Sequence, residues 1–125
     1  MFAPINGVKI AFEEAGDGEA MVFVHGLGGT LHVWWPVAQQ LSNNWKVIAY
    51  DSRGCGRSEV APPPYSIDVL TDDLIALLDA AHIERAIVCG HSSGSLVAQR
   101  FAERAGDRAS GLVLAGAISR FGDEA

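Results

Sequence analysis

The sequence predicts an α/β fold, a mostly parallel sheet with helices on both faces and an antiparallel hairpin at the N-terminus. Three observations carry this expectation. From residue 20 onward, short apolar runs alternate with segments of helical periodicity, the order that builds a parallel sheet covered on both sides. Ala20–Val24 is apolar without interruption, as a strand buried on both faces is. Asn6-Gly7 stands between two short apolar stretches, the strongest local signal for a two-residue hairpin turn.

The elements follow in order. Residues 8–14 alternate through Val8, Ile10 and Phe12, a strand that Gly16 and Gly18 terminate. After Val24 a glycine-rich loop, HGLGGT, leads into a helical pattern over residues 32–41. Lys46–Tyr50 forms the next strand and DSRGCGRS closes it. Pro62, Pro63 and Pro64 keep the following stretch extended, because proline fixes its own φ and disfavours the helical region for its predecessor. Ser66 then caps a helix in which Ile67, Leu70, Leu74, Leu77, Leu78 and Ala81 share one face. Residues 86–89 read as a strand, Ser93–Arg104 as a helix, and 111–118 as a last strand.

Composition narrows the classes of function. A chain of 125 residues is one domain at most, able to bury roughly two thirds of its unfolded surface. Hydrophobic residues are 49% and charged residues 19% of the chain, which argues against disorder. The net charge of -6 and the absence of a Lys/Arg cluster point away from nucleic acid and anionic membranes. No apolar run reaches the roughly 18 residues a bilayer span needs, and residues 1–18 do not resemble a signal peptide. Cys55 and Cys89 lack metal spacing and are expected to be free thiols in a reducing compartment, the cytoplasm. Neither a metal nor an organic cofactor is expected.

The stretch IVCGHSSGSLVAQ leaves a strand and enters a helix through Gly90-His91-Ser92-Ser93-Gly94, a G-x-S-x-G pattern in its required context. The logic is steric. A sharp turn strains the central residue and presents its hydroxyl beyond the sheet, while the positions two before and two after must be small. Only Ser92 has glycine at both places, Gly90 and Gly94. A helix N-terminus there also offers backbone N–H groups where an oxyanion would form. A plain capping serine at a tight turn would leave the same local pattern.

Two further stretches add weight. In FVHGLGG, the chain after the strand frees amides to point at one spot, and Leu27 N–H is the best-placed partner for Ser93 N–H in a two-donor oxyanion hole. Gly26 reads as loop support, and His25 reads as structural rather than as a proton carrier. In DSRGCGRS, Asp51 and Arg53 read as loop-fixing residues, with Gly54 and Gly56 supplying positive backbone angles. Trp34 and Trp35 point about 100° apart on a helix, and core packing is the favoured role.

VFVHGLGG, YDSRGCGRS, PYSIDVLTDDLIALLDA and VCGHSSGSLVAQRFA, in this order and spacing, resemble the first half of an α/β-hydrolase. Within that superfamily they are most similar to the esterase-like group that includes 3-oxoadipate enol-lactonase. The resemblance implies a three-layer αβα sandwich, Ser92 as nucleophile, and the Leu27 and Ser93 amides as oxyanion holders. It implies a small ester or lactone substrate and an acyl-enzyme. One departure stands out: the elbow usually continues Met-Gly-Gly, whereas Ser93-Gly94-Ser95 stands here and removes an apolar wall of the pocket.

A serine needs an imidazole to take its proton, and the family places acid and histidine after the nucleophile. All four histidines, His25, His32, His82 and His91, precede Ser92. Asp123 and Glu124 follow the last strand, and Gly116 stands where some relatives carry an acid. The final strand, apolar on both faces, would be a bare sheet edge that invites pairing with other chains. Residues 1–125 are therefore expected to be the N-terminal portion of a single hydrolase domain, without cap and C-terminal strands, poorly active alone and prone to associate. Two rivals remain. One is a hydrolase-fold protein that binds a ligand without turnover. The other is a dinucleotide-binding domain built on Gly26 and Gly28, which lacks its third glycine because Leu31 stands there.

Overall fold

The computed structural model describes residues 1–117. Its strands are β1 (Phe2–Ile5), β2 (Val8–Ala15), β3 (Ala20–Val24), β4 (Lys46–Tyr50), β5 (Ala86–His91) and β6 (Ala109–Ala115). Its helices are α1 (Trp35–Leu41), α2 (Ile67–Ala80) and α3 (Ser93–Arg104). They build one six-stranded sheet in the order β1-β2-β4-β3-β5-β6. The β1/β2 and β2/β4 pairs are antiparallel and the other three are parallel, so the expected α/β class holds.

The hairpin forms where the sequence placed it. Asn6 and Gly7 both take positive φ, 47° and 84°, and set Ile5 opposite Val8. Positive φ at both central residues is what a type I′ turn requires, and its twist matches that of the flanking strands.

Alternation along the strands divides the interior in two. Val22, Val24, Ile48 and Val88 face α2 and α3, where Leu74, Leu77, Leu78, Val97 and Phe101 are buried with them. Met21, Phe23, Val47, Ala49 and Cys89 face the other way, against Leu31 and Ala38 on the α1 side. Each fully buried Leu, Val or Phe contributes on the order of 2 kcal/mol, so both layers add substantially to stability. Trp34 and Trp35 pack on the α1-side core, with the Trp34 ring 5.2 Å from that of Phe23 and its Nε1 donating to the Val24 carbonyl at 3.1 Å.

Three boundaries differ from expectation. The helix expected over 32–41 is broken: Leu31–Val33 is a 3-10 turn capped by the Thr30 hydroxyl, and α1 begins at Trp35. Pro36, which lacks an N–H, fits only the first turn of a helix and so restarts it there. The last strand starts at Ala109, two residues early, and ends before Gly116, whose φ of 58° turns the chain. Strand β5 runs on to His91, so the elbow glycine Gly90 still pairs in the sheet, opposite Val24. Asp123 and Glu124 lie outside the described residues.

Candidate active site

The chain runs β3, then β4 on one side of it, then crosses back to β5 on the other side. The crevice beyond the carboxyl ends of β3 and β5 is therefore the switch point where open α/β sheets bind ligands. Two segments meet there, the loop after Val24 and the turn after His91. Topology brings them together across more than sixty residues.

Ser92 is the hinge of that turn, with φ 55° and ψ -121°. A non-glycine residue in this region costs about 1–3 kcal/mol and persists only where its surroundings hold it. Ser92 N–H donates to the Ala115 carbonyl at 3.0 Å, and its own carbonyl accepts Ser95 N–H at 2.9 Å and Ser95 Oγ at 2.6 Å. Its hydroxyl makes no hydrogen bond among the described residues. The backbone is clamped and the side chain is spare.

The glycines explain the clamp. A Cβ at Gly90 would run into the Gly94 carbonyl, and one at Gly94 would lie 2.5 Å from the Val24 carbonyl oxygen. Gly90 thus allows the strand to touch its own following helix, and Gly94 allows that helix to touch β3. A Cβ at Gly26 would stand 3.2 Å from the His91 carbonyl oxygen and from Ser92 Cβ, so the β3 loop lies flush against the elbow.

Ser93 holds a bond that sequence reasoning missed. Its hydroxyl oxygen accepts the Leu27 N–H at 2.7 Å. The Leu27 amide does face the elbow, but it is occupied by a side chain. The only sequence signal was the serine itself, standing where the family usually has an apolar residue.

Behind these groups lies a polar scaffold. His25 is buried, with Nδ1 2.6 Å from the Gly26 carbonyl and Nε2 accepting Ser52 N–H at 2.9 Å. Both nitrogens are committed, and burial holds its pKa below the usual histidine value against the raising effects of the Gly26 bond and Asp51. Such a ring ties the loop after β3 to the loop after β4. Asp51 is buried too: Oδ1 accepts Leu31 N–H at 2.7 Å and Oδ2 accepts Arg57 N–H at 3.0 Å. Ser58, another residue missed from sequence, donates to the Asp51 carbonyl and accepts Ala11 N–H at 2.8 Å.

Arg53 stands apart from the crevice. Its guanidinium grips both Asp73 oxygens, at 2.6 and 2.9 Å, and Asn6 Nδ2 reaches the same carboxylate at 3.0 Å. It fastens the β4 loop to α2 and the hairpin.

No hydrogen bond joins a histidine side chain to Ser92 among the described residues. His82 sits between α2 and β5, at the far end of the strand from the elbow. His91 is exposed, and a Cβ at Gly116 would lie 3.9 Å from its ring. Burial pushes the Cys89 thiol up to about 12 and raises that of half-buried Cys55, so neither is a poised thiolate. Among the described residues no group of three or more His, Cys, Asp or Glu is placed to hold a metal ion. Nor is any helix among them long and apolar enough to cross a membrane.

A family model described as the alpha/beta hydrolase fold matches residues 19–124. The chain belongs to the α/β-hydrolase family. Its 3-oxoadipate enol-lactonase 2 relative from Acinetobacter baylyi is 36% identical over 107 residues, 86% of this chain and 40% of that protein. RutD of Caulobacter segnis, named for carbamate hydrolysis, is 36% identical over 104 residues, 82% of this chain and 39% of that one. The crystal structure of the enol-lactonase from Burkholderia xenovorans LB400 superposes with a TM-score of 0.86 at 34% identity, covering 90% of this chain and 45% of that one. The chain thus spans about two fifths of the length of the curated relatives it matches. With that membership the dinucleotide reading loses its ground. Ten residues separate β3 from α1, whereas a dinucleotide fold takes its glycine loop straight into a helix.

Proposed function

We propose that Ser92 is the nucleophile of a cytoplasmic hydrolase acting on a small carboxylic ester or lactone. The observation that carries this reading is the clamped Ser92 backbone at φ 55° with its hydroxyl left unbonded at the switch-point crevice. Strain held this firmly at a helix N-terminus is best explained by a task for the side chain.

In this reading Ser92 Oγ attacks the acyl carbon and gives its proton to a base. The carbonyl oxygen becomes an oxyanion received by the Ser93 and Leu27 amides. The C–O bond to the leaving alcohol then breaks, and water cleaves the acyl-enzyme. No histidine hydrogen-bonds Ser92 among the described residues, and the base and its carboxylate partner are proposed to come from polypeptide beyond Ala125. The walls that choose the substrate are proposed to lie there as well. The relatives, more than twice as long, support this division.

A fluorophosphonate probe tests the reading on the protein at the length its gene encodes. An adduct on Ser92, lost in Ser92→Ala together with turnover of p-nitrophenyl acetate, is the expected result. An intact protein that takes no adduct would instead be a ligand-binding member of the family.

A further inference from the structure

The amide of Leu27 has one proton and one direction, and in this structure both are taken. Ser93 Oγ holds that proton at an N···O distance of 2.7 Å, across 66 positions of sequence. Oxyanion-hole donors act at about 2.7–3.1 Å from the reacting oxygen. The Ser93 hydroxyl oxygen therefore stands where the substrate's oxygen has to arrive. We infer that Ser93 Oγ plugs the oxyanion hole and that rotation of its side chain opens it. The inference rests on Ser92 being the nucleophile, as proposed above.

The site is built for a swing of one side chain. The Leu27 loop cannot retreat inward, because Gly26 already lies against Ser92 and the His91 carbonyl. The Ser93 backbone is held as the first residue of α3. What remains free is χ1 of Ser93, with its staggered wells.

Competition for the amide then sorts ground state from transition state. A seryl hydroxyl and a neutral ester carbonyl are acceptors of similar strength, so bound substrate gains little by displacing the plug. A developing oxyanion carries charge, and hydrogen bonds to charged acceptors are roughly twice as strong. It wins the amide where the carbonyl does not. The plug thereby withholds one hydrogen bond from the Michaelis complex and yields it as the barrier is climbed. It weakens substrate binding more than it slows the chemical step.

Steady-state kinetics on the protein at its gene-encoded length test this, with p-nitrophenyl acetate as the probe. Ser93→Ala removes the plug, and kcat/KM is expected to rise about 3- to 10-fold, the scale of one ordinary hydrogen bond. The change should appear mainly as a lower KM. Ser93→Thr keeps the hydroxyl and so should lack the rise in kcat/KM. A fall in kcat/KM for Ser93→Ala overturns the plug and makes the hydroxyl a donor to the oxyanion. No change in Ser93→Ala, or the same rise in Ser93→Thr, overturns it too. Fluorophosphonate labelling tells the two failures apart. No adduct at Ser92 in the wild type overturns nucleophile and plug together, whereas an adduct with an unresponsive Ser93→Ala overturns the plug alone.

Discussion

Ser52 N–H donates to His25 Nε2 across 2.9 Å, joining the loop after β4 to the loop after β3. That bond needs a neutral ring, because a protonated Nε2 has no lone pair to offer. The Gly26 carbonyl, 2.6 Å from Nδ1, fixes the ring's single proton on that side.

A pH dependence of stability follows. Burial lowers the folded-state pKa of His25, so below about pH 6.5 the unfolded chain takes up a proton that the folded chain refuses. Stability from this group is full above that pH and is lost as pH falls toward the folded pKa. Urea midpoints are expected to drop between about pH 7.5 and 5.5 in the wild type. His25→Gln should be less stable throughout and show a weaker slope. An equal slope in both proteins contradicts the account.

The elbow glycines should be intolerant for steric reasons alone. Gly94→Ala drives a Cβ to 2.5 Å from the Val24 carbonyl oxygen, and Gly90→Ala meets the Gly94 backbone. Each is expected to cost at least about 1–3 kcal/mol, since backbone cannot give way as a side chain can. Gly106→Ala, with nothing within 4 Å of the added carbon, is the control and should melt near the wild type.

Ser92→Gly separates activity from stability. Glycine adopts positive φ at no steric cost, so removing the strain at φ 55° should raise unfolding free energy by about 1 kcal/mol after its own entropy is counted. The same variant should take no fluorophosphonate. Denaturant titration reads the first outcome and mass spectrometry the second.

Asp51→Asn should loosen the crevice without touching Ser92. The carboxylate accepts two amides, those of Leu31 and Arg57, through different oxygens. Asparagine keeps one acceptor and turns an NH2 toward the other donor, an expected loss of about 1–3 kcal/mol. Amide hydrogen exchange should quicken from Leu27 through Leu31.

The apolar outer strand should make the 125-residue chain associate. Leu112, Val113 and Leu114 on β6 are 38–45% exposed, and among the described residues β6 is an edge of the sheet. Open apolar edges template pairing. Sedimentation is expected to show concentration-dependent species, reduced in Val113→Lys.

The local parts of this protein were legible residue by residue. Asn6-Gly7 announced the hairpin, because positive φ at both positions is a property of those residues. Gly90 marked the elbow, because contact between the strand and its following helix tolerates no side chain there, whereas the need for glycine at Gly94 comes from the distant Val24 carbonyl. The α2 face was legible from periodicity, and Leu70, Leu74, Leu77 and Leu78 are buried. The break before α1 was less so, since Pro36 suits a helix start as well as a loop. These properties act within a few residues of the chain, so sequence by itself determines them.

Only the tertiary structure decided what those parts touch. That Arg53 grips Asp73 and not a substrate, that both His25 nitrogens are spent, and that Ser93 Oγ fills the Leu27 amide all depend on where β3, β4 and β5 fall in the sheet. A hydroxyl or an imidazole has several equally good partners in a sequence. Strand order and register choose among them, because a hydrogen bond is made only where folding has already brought donor and acceptor within 3 Å or so of one another.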